Sequence, residues 1–249
     1  MSAPADQTVQ VRVEGGLGRA SLNRPGALNA LDTPMCQALI RALLDWRRDA
    51  AVRAVLIDHA GARGFCAGGD IRMLARSGAG DGAEARDFFR AEYQLNALLF
   101  SYPKPVIAIM DGVTMGGGAG LAMPARYRIA TENTLFAMPE AGIGLFPDVG
   151  AGWWLPRLPG ASGLWLALTG ARLKAADSCA LGIATHFTAQ DRLPALKAAL
   201  AATPDQVEAV LDDFADDPGP SGLAAPDGCL SPPGDRERGC RGAPVGGPD

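Results

Sequence analysis

Short apolar runs separated by helix-like stretches are the feature that most restricts what this chain can fold into. Val52-Arg-Ala-Val-Leu-Ile57 and Val106 to Met110 are brief, apolar and rich in β-branched residues, which suits strands. Between and before them the pattern changes. Asp32-Thr33-Pro34 offers a capping residue and an early proline, and Leu39, Leu43 and Trp46 then recur at helical spacing, so a helix is expected to about Arg48. A second helix is expected from Glu84 to Leu99. Val9 to Val13 alternates apolar and polar residues and is followed, after Gly15 and Gly16, by a run through Ala20 and Leu22, which reads as a hairpin. Tyr127 to Ala130 and Thr134 to Ala137 add two shorter strands. Strands alternating with helices imply an α/β architecture with parallel pairing, in which loops at the strand ends can build a site.

Three such loops stand out. Gly64-Phe-Cys-Ala-Gly-Gly-Asp-Ile-Arg72 follows one strand, and its glycines let backbone N–H groups approach a ligand, although a plain strand-to-helix turn would read the same. In Asp111-Gly-Val-Thr-Met-Gly-Gly-Gly-Ala-Gly120 a triple glycine leads toward a helix start expected at Leu121, where free N–H groups could hold a developing oxyanion. A flexible hinge is the alternative there. Phe136-Ala-Met-Pro-Glu-Ala-Gly-Ile-Gly-Leu-Phe-Pro-Asp-Val-Gly150 carries two carboxylates, Glu140 and Asp148, in apolar and glycine-rich surroundings. Such surroundings raise carboxyl pKa values toward the range of acid and base catalysis. For Asp148 the alternative is an N-cap of a helix beginning near Gly150. All three loops are expected around one cleft.

Other chemistries are missing from the spelling. There is no G-x-G-x-x-G, P-loop, H-E-x-x-H or G-x-S-x-G, and the only histidines, His59 and His186, close or adjoin apolar runs where a structural role is expected. The five cysteines are odd in number and scattered, so neither a disulfide framework nor a metal site is indicated. The net charge is −4 with dispersed basic residues, which speaks against a nucleic-acid partner. With no leader-like N-terminus and no long apolar run, the expectation is a soluble cytoplasmic protein with no membrane partner.

Taken together, Phe65-Cys-Ala-Gly-Gly-Asp-Ile-Arg72, Thr114-Met-Gly-Gly-Gly118, Phe136-Ala-Met-Pro-Glu140 and Gly144-Leu-Phe-Pro-Asp-Val-Gly150 resemble the crotonase superfamily and, within it, the 3-hydroxyisobutyryl-CoA hydrolase family. The resemblance runs from Asn23-Arg-Pro to Gly182-Ile-Ala-Thr-His-Phe187. It implies a spiral of ββα units and an acyl-CoA substrate, with no separate cofactor because coenzyme A is part of that substrate. It also implies that the backbone N–H groups of Gly69 and Gly117 hold the thioester oxygen. Glu140 falls on the catalytic glutamate and Asp148 on the aspartate of the hydrolase type. Glu92 falls on a substrate-contacting glutamate, although as a helix residue it could equally lie on a solvated face; Ala67 is also expected to bind substrate, and Arg72 to stand in for a basic residue absent at Gly26. Hydratases of the superfamily carry a second glutamate where this chain has Gly120, and some members carry a basic residue for the coenzyme phosphates where it has Gly26.

A catalytic core is expected over residues 1–200, the start of a truncated helical region over 201–215, and a disordered tail over 216–249, where Pro, Gly, Asp and Arg dominate. Relatives implied by the resemblance continue into helices that close the site and join subunits. The expectation is therefore a truncated or frameshifted product, with a homo-oligomer compromised and an apolar patch left around Trp153, Trp154 and Trp165.

Overall fold

A computed structural model describes residues 8–61 and 64–223. Strands β1 (Val9–Glu14) and β2 (Leu17–Leu22) form the expected hairpin. Its two turn residues, Gly15 and Gly16, have φ of 58° and 95°, the left-handed conformation that a tight hairpin needs. After β2 come helix α1 (Thr33–Arg48), β3 (Ala54–His59), α2 (Ile71–Gly78), α3 (Ala83–Phe100), β4 (Val106–Met110), β5 (Val113–Met115), α4 (Gly117–Ala122), β6 (Tyr127–Ala130) and β7 (Leu135–Ala137). A 3-10 turn at Glu140–Ile143 then leads to α5 (Ala151–Trp154), α6 (Ser162–Thr169), α7 (Ala175–Ala180), β8 (His186–Phe187), α8 (Leu193–Ala202) and α9 (Val207–Asp213).

The main sheet has the order β1-β2-β3-β4-β6-β8, parallel from β2 onward. Strands β5 and β7 leave it and pair with each other in a small parallel sheet beside the glycine loops. Both faces of the main sheet are covered, as parallel sheets require. Along β3 and β4 the residues divide by parity. Val55, Ile57, Val106 and Ala108 pack into the core that includes Leu39, Leu43 and Leu95 from α1 and α3, whereas Leu56, Ile107 and Ile109 pack against Leu193, Leu196, Leu200, Val207 and Leu211 from α8 and α9. Each fully buried leucine stabilises by about 2 kcal/mol, so α8 and α9 are integral to the fold.

Strand β3 ends two residues later than the sequence implied, taking in Asp58 and His59. The charge at Asp58 is tolerated because Arg19 and Lys197 both reach its Oδ2 at 2.7 Å, and Ser21 donates to Oδ1 at 2.5 Å. Burial alone would push the Asp58 carboxyl up, but Lys197 and Arg19 outweigh it and hold the group below the usual carboxylate range. Helix α4 begins at Gly117, not Leu121, so the triple glycine opens the helix. The reason is close approach: a Cβ on Gly118 would stand 2.2 Å from the Cys66 carbonyl oxygen.

Of the stretch expected to be a disordered tail, Asp216 to Leu223 lies against the body. Asp216 donates its N–H to the Phe187 carbonyl at 2.8 Å, Asp177 accepts from Ser221 and from the Gly222 N–H, and Leu223 packs on the core. The remainder, 224–249, lies outside the described residues. Of the three tryptophans expected in an apolar patch, Trp154 is buried, Trp153 is half-buried beside the exposed Phe100 ring, and Trp165 is exposed with Leu164 and Leu168 on α6. No helix among the described residues is long and apolar enough to cross a membrane.

Candidate active site

The first two glycine loops meet backbone to backbone. Leu31 pairs with Gly69 in a parallel bridge, donating to the Gly68 carbonyl at 2.7 Å and accepting from the Asp70 N–H at 2.9 Å. That pairing uses the groups on either side of Gly69 and turns the Gly69 N–H to the other edge, where Gly117 lies. A Cβ on Gly117 would be 3.4 Å from the Gly69 nitrogen. Gly117 is the first residue of α4, so its N–H has no acceptor within the helix. The Gly69 nitrogen and Gly117 thus lie close together with no side chain between them, and two neighbouring main-chain donors of this kind could serve a developing oxyanion.

Two carboxylates lie beside these glycines. A Cβ on Gly116 would be 2.9 Å from Glu140 Oε1, and a Cβ on Gly117 would be 2.2 Å from Glu92 Oε1. A side chain at either position would displace one of these carboxylates, and Gly116 also has φ of 49°, which favours glycine. Glu140 is 5% exposed and Glu92 only 2%, and one oxygen of each has no hydrogen-bond partner among the described residues. The solvated-face alternative for Glu92 therefore does not hold, because α3 turns that residue into the interior along with Phe88, Leu95 and Asn96. Burial pushes the Glu92 carboxyl up to about 8, with Asp148 and Glu140 adding to the shift. Burial likewise pushes Glu140 up to about 7, and Asp148 contributes. At neutral pH Glu92 is mostly protonated and Glu140 is poised to gain or lose a proton.

The third loop supplies Asp148. Burial raises its pKa, and a hydrogen bond from the Tyr93 hydroxyl to Oδ2 at 2.7 Å partly offsets this. Asp148 does not cap the following helix: the N-cap of α5 is Gly150, without a side-chain cap bond. Instead the chain bends sharply after Asp148, with Val149 at φ 44°, a conformation that β-branched residues rarely adopt. The bend buries Val149 against Gly120. A Cβ on Gly120 would stand 2.6 Å from the Val149 Cβ and 2.9 Å from Asn96 Nδ2. The position at which hydratases place their second glutamate is therefore filled by other side chains.

The remaining sequence-derived positions lie around the same loops. Ala67 is half-buried and donates its N–H to the Leu28 carbonyl, Arg72 is exposed at the start of α2, and a Cβ on Gly26 would meet open space. Arg24 is held by Asp70 at 2.7 Å. His59 is buried, and burial lowers its pKa so that it stays neutral; the His186 Nδ1 lies 2.8 Å from the Thr185 hydroxyl. Tyr93 and Asn96 were missed from the sequence. Their signal was present in Glu92 and Asn96, polar residues four apart within the apolar stripe of α3.

A profile of the enoyl-CoA hydratase/isomerase family matches residues 17–227. The chain belongs to this family. It is 49% identical over 204 residues to the mitochondrial 3-hydroxyisobutyryl-CoA hydrolase of Xenopus tropicalis, covering 80% of this chain and 53% of that protein. It is also 47% identical to the small ribosomal subunit protein mS47 of Neurospora crassa, over 74% of this chain and 37% of that one. Among solved structures, a carnitinyl-CoA dehydratase from Mycobacterium thermoresistibile superposes with a TM-score of 0.83 at 45% identity, covering 87% of this chain and 63% of that one. The fold is thus the crotonase fold. The chain spans about half the length of the curated relatives it matches. The expectation of a cytoplasmic protein is overturned by the hydrolase relatives, which are named as mitochondrial.

Proposed function

We propose that this chain hydrolyses a short acyl-CoA thioester, 3-hydroxyisobutyryl-CoA in particular, to the free acid and coenzyme A, a step of valine catabolism. The observation that carries the reading is the exchange of carboxylates around Glu140. Gly120 leaves no room for the second hydratase glutamate, while Asp148, tied to Tyr93, stands on the adjoining turn. Hydration of an enoyl double bond needs two acid/base groups across that bond. Thioester hydrolysis needs one base or nucleophile next to an oxyanion site.

In this reading the N–H groups of Gly69 and Gly117 hold the thioester oxygen, each contributing roughly 3 kcal/mol in the transition state. Glu140 removes a proton from water as its oxygen bonds to the carbonyl carbon, or bonds to that carbon itself. Collapse of the tetrahedral species breaks the C–S bond, the electron pair leaves with sulfur, and the thiolate is then protonated; on the nucleophilic route this leaves an anhydride of Glu140 with the acyl group, which water then cleaves to the free acid and the Glu140 carboxylate. Asp148 orients the water or exchanges the proton. Label found in the Glu140 side chain after a single turnover in oxygen-18 water would establish the nucleophilic route, with water attacking the glutamyl carbonyl of the anhydride.

A second reading, an acyl-CoA-binding protein without turnover, is favoured by the ribosomal name of one relative. Thiol release from 3-hydroxyisobutyryl-CoA and a panel of short acyl-CoAs decides between them. Release abolished in Glu140→Gln supports hydrolysis. Ligand-induced thermal stabilisation with no thiol release from any thioester would overturn it.

A further inference from the structure

The loop that carries Gly69 has little rigidity of its own. Gly64, Gly68 and Gly69 all fall within it, and Gly68 takes φ of 106°, so this backbone alone would leave the direction of the Gly69 N–H open. What holds it is the segment of residues 24–31, laid alongside. The Leu28 carbonyl accepts from the Ala67 N–H at 3.0 Å, and Leu31 bonds to Gly68 and Asp70 on either side of Gly69. Two side chains fasten that segment to both ends of the loop. Asn29 is 2% exposed; its Oδ1 accepts from the Arg24 N–H at 2.7 Å and its Nδ2 donates to the Gly64 carbonyl at 2.9 Å. Arg24 holds the other end, donating from Nη2 to Asp70 Oδ2 at 2.7 Å and from Nη1 to the Ala30 carbonyl at 3.0 Å.

The residue after Gly69 is therefore fixed from three directions. Asp70 is gripped by Arg24, gives its N–H to Leu31, and caps α2 by accepting the Met73 N–H on Oδ1 at 3.1 Å. At the other end the strap keeps an unfavourable backbone. Leu28 and Asn29 have φ of 49° and 55°, a region that asparagine tolerates better than most side chains but that glycine takes most easily. Glycine at position 29 would make neither of the two amide bonds. An oxyanion donor works only if its direction is set before the reaction, and a displacement of about 1 Å costs on the order of a hundredfold in rate. We propose that Arg24 and Asn29 are positioning residues, which act through the backbone of residues 64–70 to aim the Gly69 N–H at the thioester oxygen. The inference rests on the thioester-hydrolase reading and adds to it the side chains that set one of its oxyanion donors.

The test uses the full chain and two variants. Asn29→Gly keeps the left-handed backbone and loses both amide bonds, while Arg24→Lys keeps the charge near Asp70 but not the fork that holds two acceptors. Thermal denaturation confirms that each folds, and either one alone suffices for the test. The decisive readout is the carbonyl stretching frequency of isobutyryl-CoA, carbon-13 labelled at the thioester, bound to Glu140→Gln alone and combined with each variant. A donor aimed at the oxygen polarises the C=O bond and lowers that frequency from its value in the free thioester, an effect that a change in stability by itself does not alter. In Asn29→Gly the shift should fall by about half, with kcat for thiol release from 3-hydroxyisobutyryl-CoA down about thirtyfold and KM within a few-fold of the parent. Arg24→Lys should move kcat and the shift in the same direction by a smaller amount. If no thioester releases thiol but the bound carbonyl is shifted in Glu140→Gln and less so in the variants, the hydrolase reading fails and the positioning assignment stands. If thiol is released and both the shift and kcat in the folded variants equal those of the parent, the positioning assignment is overturned while the hydrolase reading stands. An unshifted carbonyl in Glu140→Gln itself would also overturn the assignment, because there would be no contact to aim.

Discussion

The Tyr93 hydroxyl donates to Asp148 Oδ2 at 2.7 Å, joining α3 to the loop that carries the second candidate carboxylate. The bond stabilises the ionised form of Asp148 against the burial that raises its pKa. Removing it with Tyr93→Phe raises that pKa further. If ionised Asp148 serves the reaction, the acidic limb of the kcat profile for thiol release moves to higher pH, with kcat at neutral pH reduced about tenfold. An unchanged pH profile would assign the contact a purely structural role.

Glu140 has a raised pKa of about 7, so as a base it is protonated and inactive below that pH. Thiol release should rise as pH increases through about 7. Glu140→Gln should abolish turnover by about a thousandfold or more while leaving acyl-CoA binding within a few-fold, because the amide keeps the shape but takes no proton. Residual hydrolysis within tenfold of the parent would remove Glu140 from this role.

Glu92 makes a prediction about stability. Its folded pKa of about 8 lies above the ordinary carboxyl value of 4.5, so the folded state binds the proton more tightly than the unfolded chain. The protonated carboxyl is accommodated at low pH, and stability falls as pH rises between the two values. Glu92→Gln removes that penalty and should stabilise the fold at pH 9 by a few kcal/mol, on the order of 4. Urea denaturation at pH 5 and pH 9 checks this. A gain of equal size at both would show that ionisation is not the cause.

Gly120→Glu tests whether the hydratase constellation can be restored by one change. The new Cβ meets Val149 and Asn96 well inside contact distance, so the variant should lose about 2 kcal/mol by overpacking and gain no enoyl-CoA hydration. A stable variant that hydrates crotonyl-CoA would show that the turn at Val149 yields readily.

Lys197→Met breaks a buried ion pair at Asp58 but leaves Arg19 in place. The expected loss is about 3 kcal/mol at neutral pH. Because Asp58 has a depressed folded pKa, its contribution is present above the ordinary carboxyl range and lost as pH falls through the folded value. The difference between parent and variant in urea midpoint should therefore shrink in strong acid.

What the sequence determined by itself was local. The hairpin at Gly15-Gly16, the α1 start at Asp32 and the alternation of strands and helices follow from turn chemistry, capping and periodicity within short windows. Glu140 and Asp148 were legible because their motifs are contiguous. The tertiary structure decided what depends on residues distant in the chain. Glu92 is buried only because α3 lies against the Gly117 loop, and Tyr93 meets Asp148 across 55 positions. Gly120 is blocked by Val149 and Asn96, which lie on different elements. Asp58 can end a buried strand because α8 brings Lys197 to it from the far side of the sheet. Burial and charge pairing are properties of assembled surfaces, and no local pattern encodes which surfaces meet.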